Sequence, residues 1–411
     1  MSDSLGFESN PLAAPINREN LPFPVWANFE FTGKGTEYFK IWIVNIVLSI
    51  VTLGIYSAWA KFRKERYFYG NTWVNGSSFI YTAEPVKILK GRLIAFVFFA
   101  AFGVVVNFFP VFSFYALTTL CVLFPFMLVT STAFRLRNSM YRNMRFRFDR
   151  DYLDAYKIFV VPLAIILGTT AVFYGLFAGS EIVAEMEKVE GADFRKEDTL
   201  ISIFFLAAMP FVPLIIHYMR KFIVNRTHYG SADGHFLATV GKFYAIFIKF
   251  IILSVLVFML LGLLTIPILG FIFSGTPTLE EINIEPRQLG SVYIAFFTLG
   301  LVFYGVSFFT LGYLKSRLTN TTLNNTELGP ILIESSLRAR DLGWLYLSNT
   351  VAIMLSVGFL IPWAQIRMAR YKAAQTQLLA KDMNAINSIE QDNPSAFGEE
   401  LGEFFDFDFG L

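Results

Sequence analysis

Long apolar runs are the feature that most constrains what this chain can fold into. A helix needs about 20 apolar residues to cross the ~30 Å hydrocarbon core of a bilayer. Two runs, at residues 39–60 and 342–363, are interrupted by glycine. Six further runs are strong enough to span, and they lie at residues 93–110, 113–134, 157–179, 200–219, 245–273 and 291–312. The pattern predicts an all-α protein that crosses the membrane several times.

The amino-acid composition is typical of a membrane protein, and the sequence contains no motif of a catalytic or metal site. The 411 residues are 55% hydrophobic and 16% charged, whereas a soluble domain carries about a quarter charged residues. The single cysteine, Cys121, lies in an apolar run, so no intramolecular disulfide is expected. The three histidines lack metal-ligand spacing, and no phosphate-binding loop, HExxH motif or nucleophile elbow is present in the sequence. We therefore expect no metal, no cofactor and no enzymatic activity.

The polar segments between the runs alternate in charge. Those at 179–198 and 278–287 are acidic, while the segments around residues 61–92, 135–150, 220–242 and 315–340 are basic. An excess of Lys and Arg marks cytoplasmic loops. The alternation predicts a multi-pass protein whose basic segments and both termini face the cytoplasm.

One signature occurs twice, near the two ends of the chain. Residues 52–67 read TLGIYSAWAKFRKERY and residues 356–371 read SVGFLIPWAQIRMARY. A shift of 304 residues aligns at least eight identities, from Asn45 with Asn349 to Thr72 with Thr376, without a gap. Basic residues both precede and follow these terminal segments, so a break at the glycine that returns the chain to the same face fits the charges. Eight straight spans, with one basic segment outside, are the alternative.

A weaker pattern recurs in the basic segments. Residues 66–81, 134–149, 220–236 and 314–333 each contain a basic residue, an Asn near Ser or Thr, and a turn-like patch before alternating residues. Such patterns predict short β-hairpins. The predicted fold has five repeat units, with about six full transmembrane helices, two Gly-broken terminal membrane segments and cytoplasmic hairpins between units. This domain covers residues 29–376, between disordered tails at 1–28 and 377–411.

The N-terminal copy and its surroundings resemble a known family. The stretch FEFTGKGTEYFKIWIVNIVLSIVTLGIYSAWAKFRKERYFYGNTWVNGSSFIY is similar to the YjgN family of bacterial inner-membrane proteins, a domain of unknown function. The similarity extends from about Phe29 to about Gln375. It implies a multi-pass protein of the bacterial inner membrane, and it implies no activity and no catalytic or binding residues.

Two groups of residues are candidates for function. The first group consists of two sets of residues that each fit one face of a helix: Trp59 with Arg63 and Arg66, and Trp363 with Arg367 and Arg370. These faces either anchor the helices at lipid headgroups on the cytoplasmic face or make a specific contact with anionic lipid or a substrate gate. Three amides lie at membrane depth, where they hydrogen-bond between helices or line a polar pathway: Asn45, Asn107 and Asn349.

These features lead to two hypotheses for function. The leading one is a transport-class protein, either a channel or a carrier, because many transporters are built from internal repeats. The alternative is a non-transport membrane scaffold or a lipid-interacting protein. The expected partners are the phospholipid bilayer, anionic lipids at the cytoplasmic face and a protein that binds the acidic tail at 398–411. No nucleic acid is expected, since the basic segments lie between membrane spans.

Overall fold

A computed structural model describes residues 25–109, 112–177, 204–273 and 286–380. The ten strands are β1 Val25–Phe31, β2 Thr72–Val74, β3 Ser77–Tyr81, β4 Ser139–Tyr141, β5 Met144–Phe148, β6 Thr227–Tyr229, β7 Ala232–Phe236, β8 Thr326–Leu328, β9 Ile331–Ser335 and β10 Thr376–Ala380. The helices are α1 Gly35–Val51, α2 Ser57–Gly70, α3 Pro85–Phe108, α4 Ser113–Arg137, α5 Tyr152–Phe177, α6 Phe211–Asn225, α7 Val240–Phe273, α8 Pro286–Leu323, α9 Ala339–Leu355 and α10 Ile361–Ala374.

The strands form one closed antiparallel barrel. Around it the order is β1-β10-β9-β8-β7-β6-β5-β4-β3-β2. β1 closes the ring because its start pairs with β10, Val25 opposite Ala380, and its end pairs with β2, Phe29 opposite Val74. The two ends of the chain therefore meet in the barrel, and every strand has a partner on both sides.

Tight turns explain why the short strands pair with their neighbours in sequence. β2 and β3 are joined by Asn75 and Gly76, whose φ angles are 46° and 72°. β4 and β5 are joined by Arg142 and Asn143, with φ angles of 46° and 62°. Positive φ at both central residues is the geometry of the two-residue hairpin turn that Asn-Gly favours.

Five β–α–α–β units make up the described chain. In each unit the residue after the first strand donates its backbone N–H to the carbonyl oxygen at the end of the second helix, in the pairs Thr32–Asn71, Thr82–Asn138, Asp149–Arg226, Leu237–Asn325 and Ser336–Gln375, at distances of 2.8 to 3.0 Å. Because neighbouring strands are antiparallel, every helix leaves the barrel from one end and every two-residue turn lies at the other.

The all-α architecture predicted from the sequence is wrong. The predicted hairpin regions do contain paired strands, but these strands do not form separate hairpins: they join β1 and β10 in a single ten-stranded barrel. The strands are only three to seven residues long. Strands this short show little alternation, and the pairing that closes the ring joins residues 25 and 380. Local patterns therefore could not reveal the barrel.

The predicted number of spans is also wrong. Among the described residues four helices are long and apolar enough to cross a membrane, at Pro85–Phe108, Tyr152–Phe173, Val240–Ile266 and Phe296–Leu323. α6 has 15 residues and is too short to cross the membrane, because a turn at residues 209–210 interrupts the helix before Phe211. In α4 the stretch from Met127 to Phe134 is buried within the protein instead of facing outward.

The terminal segments turn back at their glycines. α1 and α2 contact each other, and Gly54, with φ of 90°, lies in the break between them. α9 and α10 repeat the arrangement around Gly358, with φ of 91°. Gly54 N–H bonds to Ser49 O at 2.7 Å, and Gly358 N–H bonds to Ile353 O at 2.8 Å. Each pair starts and ends at the barrel, so each is a helical hairpin.

The barrel interior is filled with apolar and tyrosine side chains. Alternate strand residues point inward and form one buried cluster, with Ala27, Val74, Tyr141, Tyr229, Ala232, Ile331, Leu378 and Ala380 at its centre. The Tyr141 hydroxyl donates to Val74 O at 2.8 Å, and the Tyr229 hydroxyl donates to Tyr141 O at 2.9 Å. The polar atoms of both tyrosines are thus satisfied inside an apolar core.

The first and last strands include residues that the sequence analysis assigned to the N- and C-terminal tails. Residues 25–28 belong to β1 and residues 377–380 belong to β10, although the sequence placed them in the tails. Residues 1–24 and 381–411, including the acidic segment 398–411, lie outside the described residues. So do residues 179–198 and almost all of the acidic segment 278–287.

Candidate functional site

A large cavity lies where the helices meet the barrel. Its volume is about 1640 Å³, and it is bordered by α1, α2 and α10, with contributions from α3 and α4. Phe79 and Phe146, whose side chains pack on the barrel core, form its floor. Its walls combine apolar side chains such as Trp42, Ile46 and Met368 with polar ones. We call this space the chamber.

The chamber lining is strongly cationic. It includes one carboxylate, Glu65, and five basic residues: Lys61, Lys64, Arg92, Arg135 and Lys372. The Lys64 ammonium lies 3.8 Å from the Glu65 carboxylate, so that carboxylate offsets only part of the charge. Positive groups gathered in a partly enclosed space attract anions.

Asn45 is the buried amide of the chamber wall. It is 7% exposed, and its Nδ2 donates to Ala60 O on the facing helix α2 at 3.3 Å. No hydrogen-bond donor among the described residues reaches its Oδ1. A buried acceptor without a partner costs about 1–3 kcal/mol, so such an atom calls for an explanation.

Asn349 occupies the corresponding place in the C-terminal hairpin. Its Nδ2 donates to Ala364 O at 3.4 Å, which matches the contact between Asn45 and Ala60. Its Oδ1, however, accepts a hydrogen bond from Arg367 Nη1 at 3.2 Å. Asn349 is satisfied within its own unit and does not line the chamber.

Asn107 is not part of the chamber. It lies one residue before the end of α3, where it is exposed, and its Nδ2 donates to Gly103 O of the same helix at 2.8 Å. Of the three amides that the sequence placed at membrane depth, the structure brings only Asn45 to the chamber.

The predicted interfacial residues lie on α2 and α10 and differ between the two copies. Trp59 is half-buried against the cluster around Ile88, whereas Trp363 is 43% exposed. The Arg63 guanidinium lies over the Tyr56 ring at 5.5 Å, and the Arg367 guanidinium lies over the Trp363 ring at 5.2 Å.

The second arginine of each copy also has a different contact. Arg66 lies over the Phe62 ring at 5.9 Å. Arg370 instead donates to Gly33 O at 3.1 Å and so links α10 to the start of the first unit. Arg63, Arg66 and Arg370 are exposed, and none of the six predicted interfacial residues lines the chamber.

Tyr38 joins the first and last units beside the chamber. Its hydroxyl donates to Gln365 Oε1 at 2.9 Å, and both residues belong to the chamber lining. Burial, with a smaller contribution from the Glu65 carboxylate, raises the pKa of Tyr38 far above its ordinary value. Tyr38 is therefore a neutral hydrogen-bond donor at any physiological pH.

Sequence reasoning missed most of this site. The sequence divided the basic residues of the chamber among separate cytoplasmic segments, with Lys61, Lys64 and Arg92 in one of them. Nothing in the local sequence placed residues of α2, α4 and α10 around a common space. The signal available was the spacing of Lys61, Lys64 and Phe68, which puts them on one face of α2. No sequence pattern indicated that Gln365 and Tyr38 belong to the site. In the described part of the chain no group of three or more His, Cys, Asp or Glu side chains could hold a metal.

Comparisons with known proteins agree with this picture of a membrane protein. Inner membrane protein YjgN from Salmonella typhimurium is 25% identical over 384 residues, covering 89% of this chain and 91% of the relative. YjgN from Escherichia coli K12 is 25% identical over 399 residues, covering 92% of this chain and 95% of the relative. No solved structure matches the chain. The family model described as bacterial protein of unknown function (DUF898) matches residues 27–404, and the chain therefore belongs to that family.

Proposed function

We propose that this protein is a transport-class protein of the bacterial inner membrane and that the chamber holds its substrate. The observation that carries the proposal is the 1640 Å³ space lined by Asn45 and an excess of cations. The location is supported by the relatives, which are named inner membrane proteins, and by the four apolar helices. The five units are internal repeats in this proposal, a build that many transporters share.

The barrel faces the cytoplasm in this proposal, as do both termini. All helices leave one end of the barrel, so the barrel lies on one side of the membrane. β5 and the turn before it are rich in arginine, with Arg142, Arg145 and Arg147, and an excess of positive charge marks the cytoplasmic side. The Trp and Arg residues of α2 and α10 then lie near the anionic headgroups of the inner leaflet.

The helical hairpins enter the membrane without crossing it. α1 has 17 residues and α9 has 17, which at 1.5 Å per residue is about 25 Å, less than the ~30 Å hydrocarbon core. The break at Gly54 leaves backbone groups inside the membrane, and such groups must be satisfied by protein. The bonds of Gly54 N–H to Ser49 O and of Tyr56 N–H to Thr52 Oγ1 meet this need in part.

The chamber, and not the barrel axis, is the route for a substrate. In the described part of the chain, side chains such as Tyr141, Tyr229 and Leu378 form the buried core of the barrel, so we take the barrel axis to be closed to a substrate. A substrate in the chamber must therefore leave between the helices. A carrier that opens the chamber to each side in turn fits this geometry better than a channel through the barrel.

A second candidate is a lipid-interacting protein that does not transport. It is favoured by the apolar faces of α3, α5, α7 and α8, which are largely exposed in the described protein and would contact lipid. The cationic chamber would then hold an anionic lipid permanently. A scaffold that binds neither lipid nor substrate would leave the chamber without a role.

Accessibility of cysteines separates these candidates. In a C121S background, a Ser49→Cys variant places a thiol in the chamber near the tip of the hairpin, and an Asn75→Cys variant places one in the β2–β3 turn. A membrane-impermeant maleimide is added to spheroplasts and, separately, to inside-out vesicles. A carrier should expose Ser49→Cys to the reagent from both sides, and Asn75→Cys should react only in inside-out vesicles.

Each other outcome has a definite meaning. Reaction of Ser49→Cys from the cytoplasmic side alone would contradict transport and favour the lipid-interacting protein. Reaction of Asn75→Cys in spheroplasts would contradict the proposed orientation of the barrel.

A further inference from the structure

Three ionisable side chains meet on the outer face of the barrel, where β5, β6 and β7 lie side by side. Tyr229 of β6 points into the core, so its neighbour His228 faces outward. His228 Nδ1 lies 2.7 Å from Asp233 Oδ1, and His228 Nε2 lies 3.0 Å from Asp149 Oδ2. We propose that these three residues form a pH-sensitive clasp, which is closed while the imidazole carries two protons and opens when it loses one.

Each of the two contacts needs an N–H on the imidazole side. A carboxylate only accepts hydrogen bonds, and a neutral imidazole has one N–H and one acceptor nitrogen. Both contacts are therefore made only by the imidazolium form. Removal of one proton sets a nitrogen lone pair against a carboxylate oxygen at hydrogen-bond distance, so one contact must open. Histidine is the residue whose ordinary titration falls between about pH 5 and 8, which makes this pair of contacts suited to a physiological switch.

The neighbouring charges indicate which contact opens. Arg147 of β5 lies opposite His228 in the strand register, and its Nε is 3.5 Å from Asp149 Oδ1. Asp149 therefore keeps a cation beside it when His228 loses a proton. We expect the contact to Asp149 to open and the contact to Asp233 to persist. The other charged groups on these elements are Arg226, which is bound by Asp151 and Asp154, and Arg145, Arg150 and His235, which lie further along the chain.

The clasp belongs to the third unit and not to the barrel as such. In every unit the residue equivalent to His228 pairs with the next strand, and the five pairs are Trp73–Ser78, Met140–Arg145, His228–Asp233, Glu327–Leu332 and Gln377–Asn28. The position of Asp149 is held in the other units by Thr32, Thr82, Leu237 and Ser336. Four of the five junctions therefore close without an imidazole between carboxylates, so closing the barrel does not require one.

The clasp lies where the third unit closes on the barrel. β5 and β6 are the first and last strands of that unit, and their register joins three residue pairs. Asp149 follows β5 directly and comes three residues before Tyr152, where the apolar helix α5 begins. Opening a contact across so short a seam should loosen the base of α5. The carboxylates of Asp149 and Asp233 are 47% and 64% exposed, so water can replace the lost contact and the change stays local.

The clasp is independent of transport, and only its exposure to cytoplasmic pH rests on the orientation in the proposed function. Proton counting tests it in the purified full chain in detergent. The sequence contains three histidines, so nitrogen NMR of histidine-labelled protein gives few signals, and variants of His228 and of the exposed His235 assign them. At pH 6 both ring nitrogens of His228 should carry a proton, and at pH 8 only one should.

Hydrogen exchange reports the state of the seam. Asp149 N–H donates to Arg226 O at 3.0 Å, and the equivalent bond of the fifth unit joins Ser336 N–H to Gln375 O at 2.9 Å. After correction for the intrinsic effect of pH, the Asp149 amide should exchange about tenfold faster at pH 8 than at pH 6, the factor that corresponds to one hydrogen bond. The Ser336 amide is the internal control and should not change.

Two variants connect the exchange to the clasp. Asp149→Asn keeps the shape of the side chain, and its amide can either accept from the ring or donate to it. This variant should therefore exchange at the same corrected rate at pH 6 and pH 8. His235→Gln is the matched control, because it removes an exposed histidine from the neighbouring strand β7, and it should keep the tenfold change.

Several results would overturn the clasp. A His228 ring with one proton at pH 6, or with two protons at pH 8, would contradict it in wild-type protein, without any variant that has to fold. Equal acceleration of the Asp149 and Ser336 amides would show that the effect is not specific to this seam. An Asp149→Asn variant that keeps the tenfold change would exclude Asp149 as the moving partner. One-sided labelling of Ser49→Cys would contradict transport and leave all of these measurements unchanged.

Discussion

Arg367 Nη1 donates a hydrogen bond to Asn349 Oδ1 at 3.2 Å, and this contact has no counterpart in the N-terminal hairpin. Both residues have equivalents 304 positions earlier, Asn45 and Arg63, which do not contact each other in this way. The two copies of the signature thus have the same backbone arrangement and differ in whether the buried asparagine Oδ1 accepts a hydrogen bond from an arginine.

The Arg367 contact should stabilise the C-terminal hairpin. We expect Arg367→Ala to lower the free energy of unfolding by about 1–3 kcal/mol, because the buried Asn349 Oδ1 loses its charged donor. Arg63→Ala is the matched control, since the Arg63 side chain is exposed and contacts a ring. It should cost under about 1 kcal/mol. Unfolding in mixed detergent micelles measures the free energy of unfolding of both variants. Equal losses of stability would show that the hydrogen bond to Asn349 is not the cause of the Arg367→Ala effect.

The break between α1 and α2 should depend on glycine. Gly54 has a φ of 90°, and a Cβ there would meet nothing within 4 Å, so only the backbone conformation opposes a side chain. We expect Gly54→Ala to cost about 1–2 kcal/mol in the free energy of unfolding. Gly70→Ala, also without a neighbour within 4 Å and without a positive φ, should be neutral. A neutral Gly54→Ala variant would argue against a rigid break.

The crossing of α8 and α9 should not accept a methyl group. A Cβ at Gly312 would lie 2.6 Å from Gly343 N and 2.7 Å from Ala339 O, both backbone atoms that cannot rotate away. We expect Gly312→Ala to lower the thermal unfolding temperature in detergent by an amount that corresponds to about 1–3 kcal/mol. Gly305→Ala, on the same helix with nothing within 4 Å, should leave it unchanged. Similar melting of the two variants would contradict the close approach of α8 to α9.

The core tyrosine Tyr229 should make stability fall at high pH. Burial, with a smaller effect of Tyr141, raises the pKa of Tyr229 to about 12 from its ordinary value of 10.0. The folded protein keeps this proton in a range where the unfolded chain has lost it. Stability from this group is therefore complete below pH 10 and declines as the pH rises towards 12, by roughly 2–3 kcal/mol at 1.36 kcal/mol for each pH unit.

The variant Tyr229→Phe isolates that effect from other groups that titrate at high pH. It removes the hydroxyl that donates to Tyr141 O, so at pH 8 it should be less stable than wild type by about 1 kcal/mol. Between pH 10 and 12 the variant should lose less stability than wild type, which narrows or reverses the difference. Parallel pH profiles for the two proteins would show that Tyr229 does not titrate with folding.

Part of the candidate site could be inferred from the sequence. Asn45 was identifiable because an amide in an apolar run needs a partner, and its pairing across the hairpin is what such residues do. The chamber could not be inferred, since its cations come from α2, α3, α4 and α10, and their distance in space depends on how the units pack. The different fates of Asn45 and Asn349 depend on where two arginine side chains point, which similar local sequences do not specify.

The sequence by itself determined the elements whose causes are local. Apolar runs define the long helices, two-residue turns such as Asn75-Gly76 define the hairpins, and Gly54 and Gly358 mark where the terminal segments turn. Only the tertiary structure decided that ten short strands close into a barrel, which helices are long enough to span, and where the chamber lies. The reason is physical: strands of three to seven residues carry almost no signal alone, and they are stable only because a ring of partners from Val25 to Ala380 satisfies both edges.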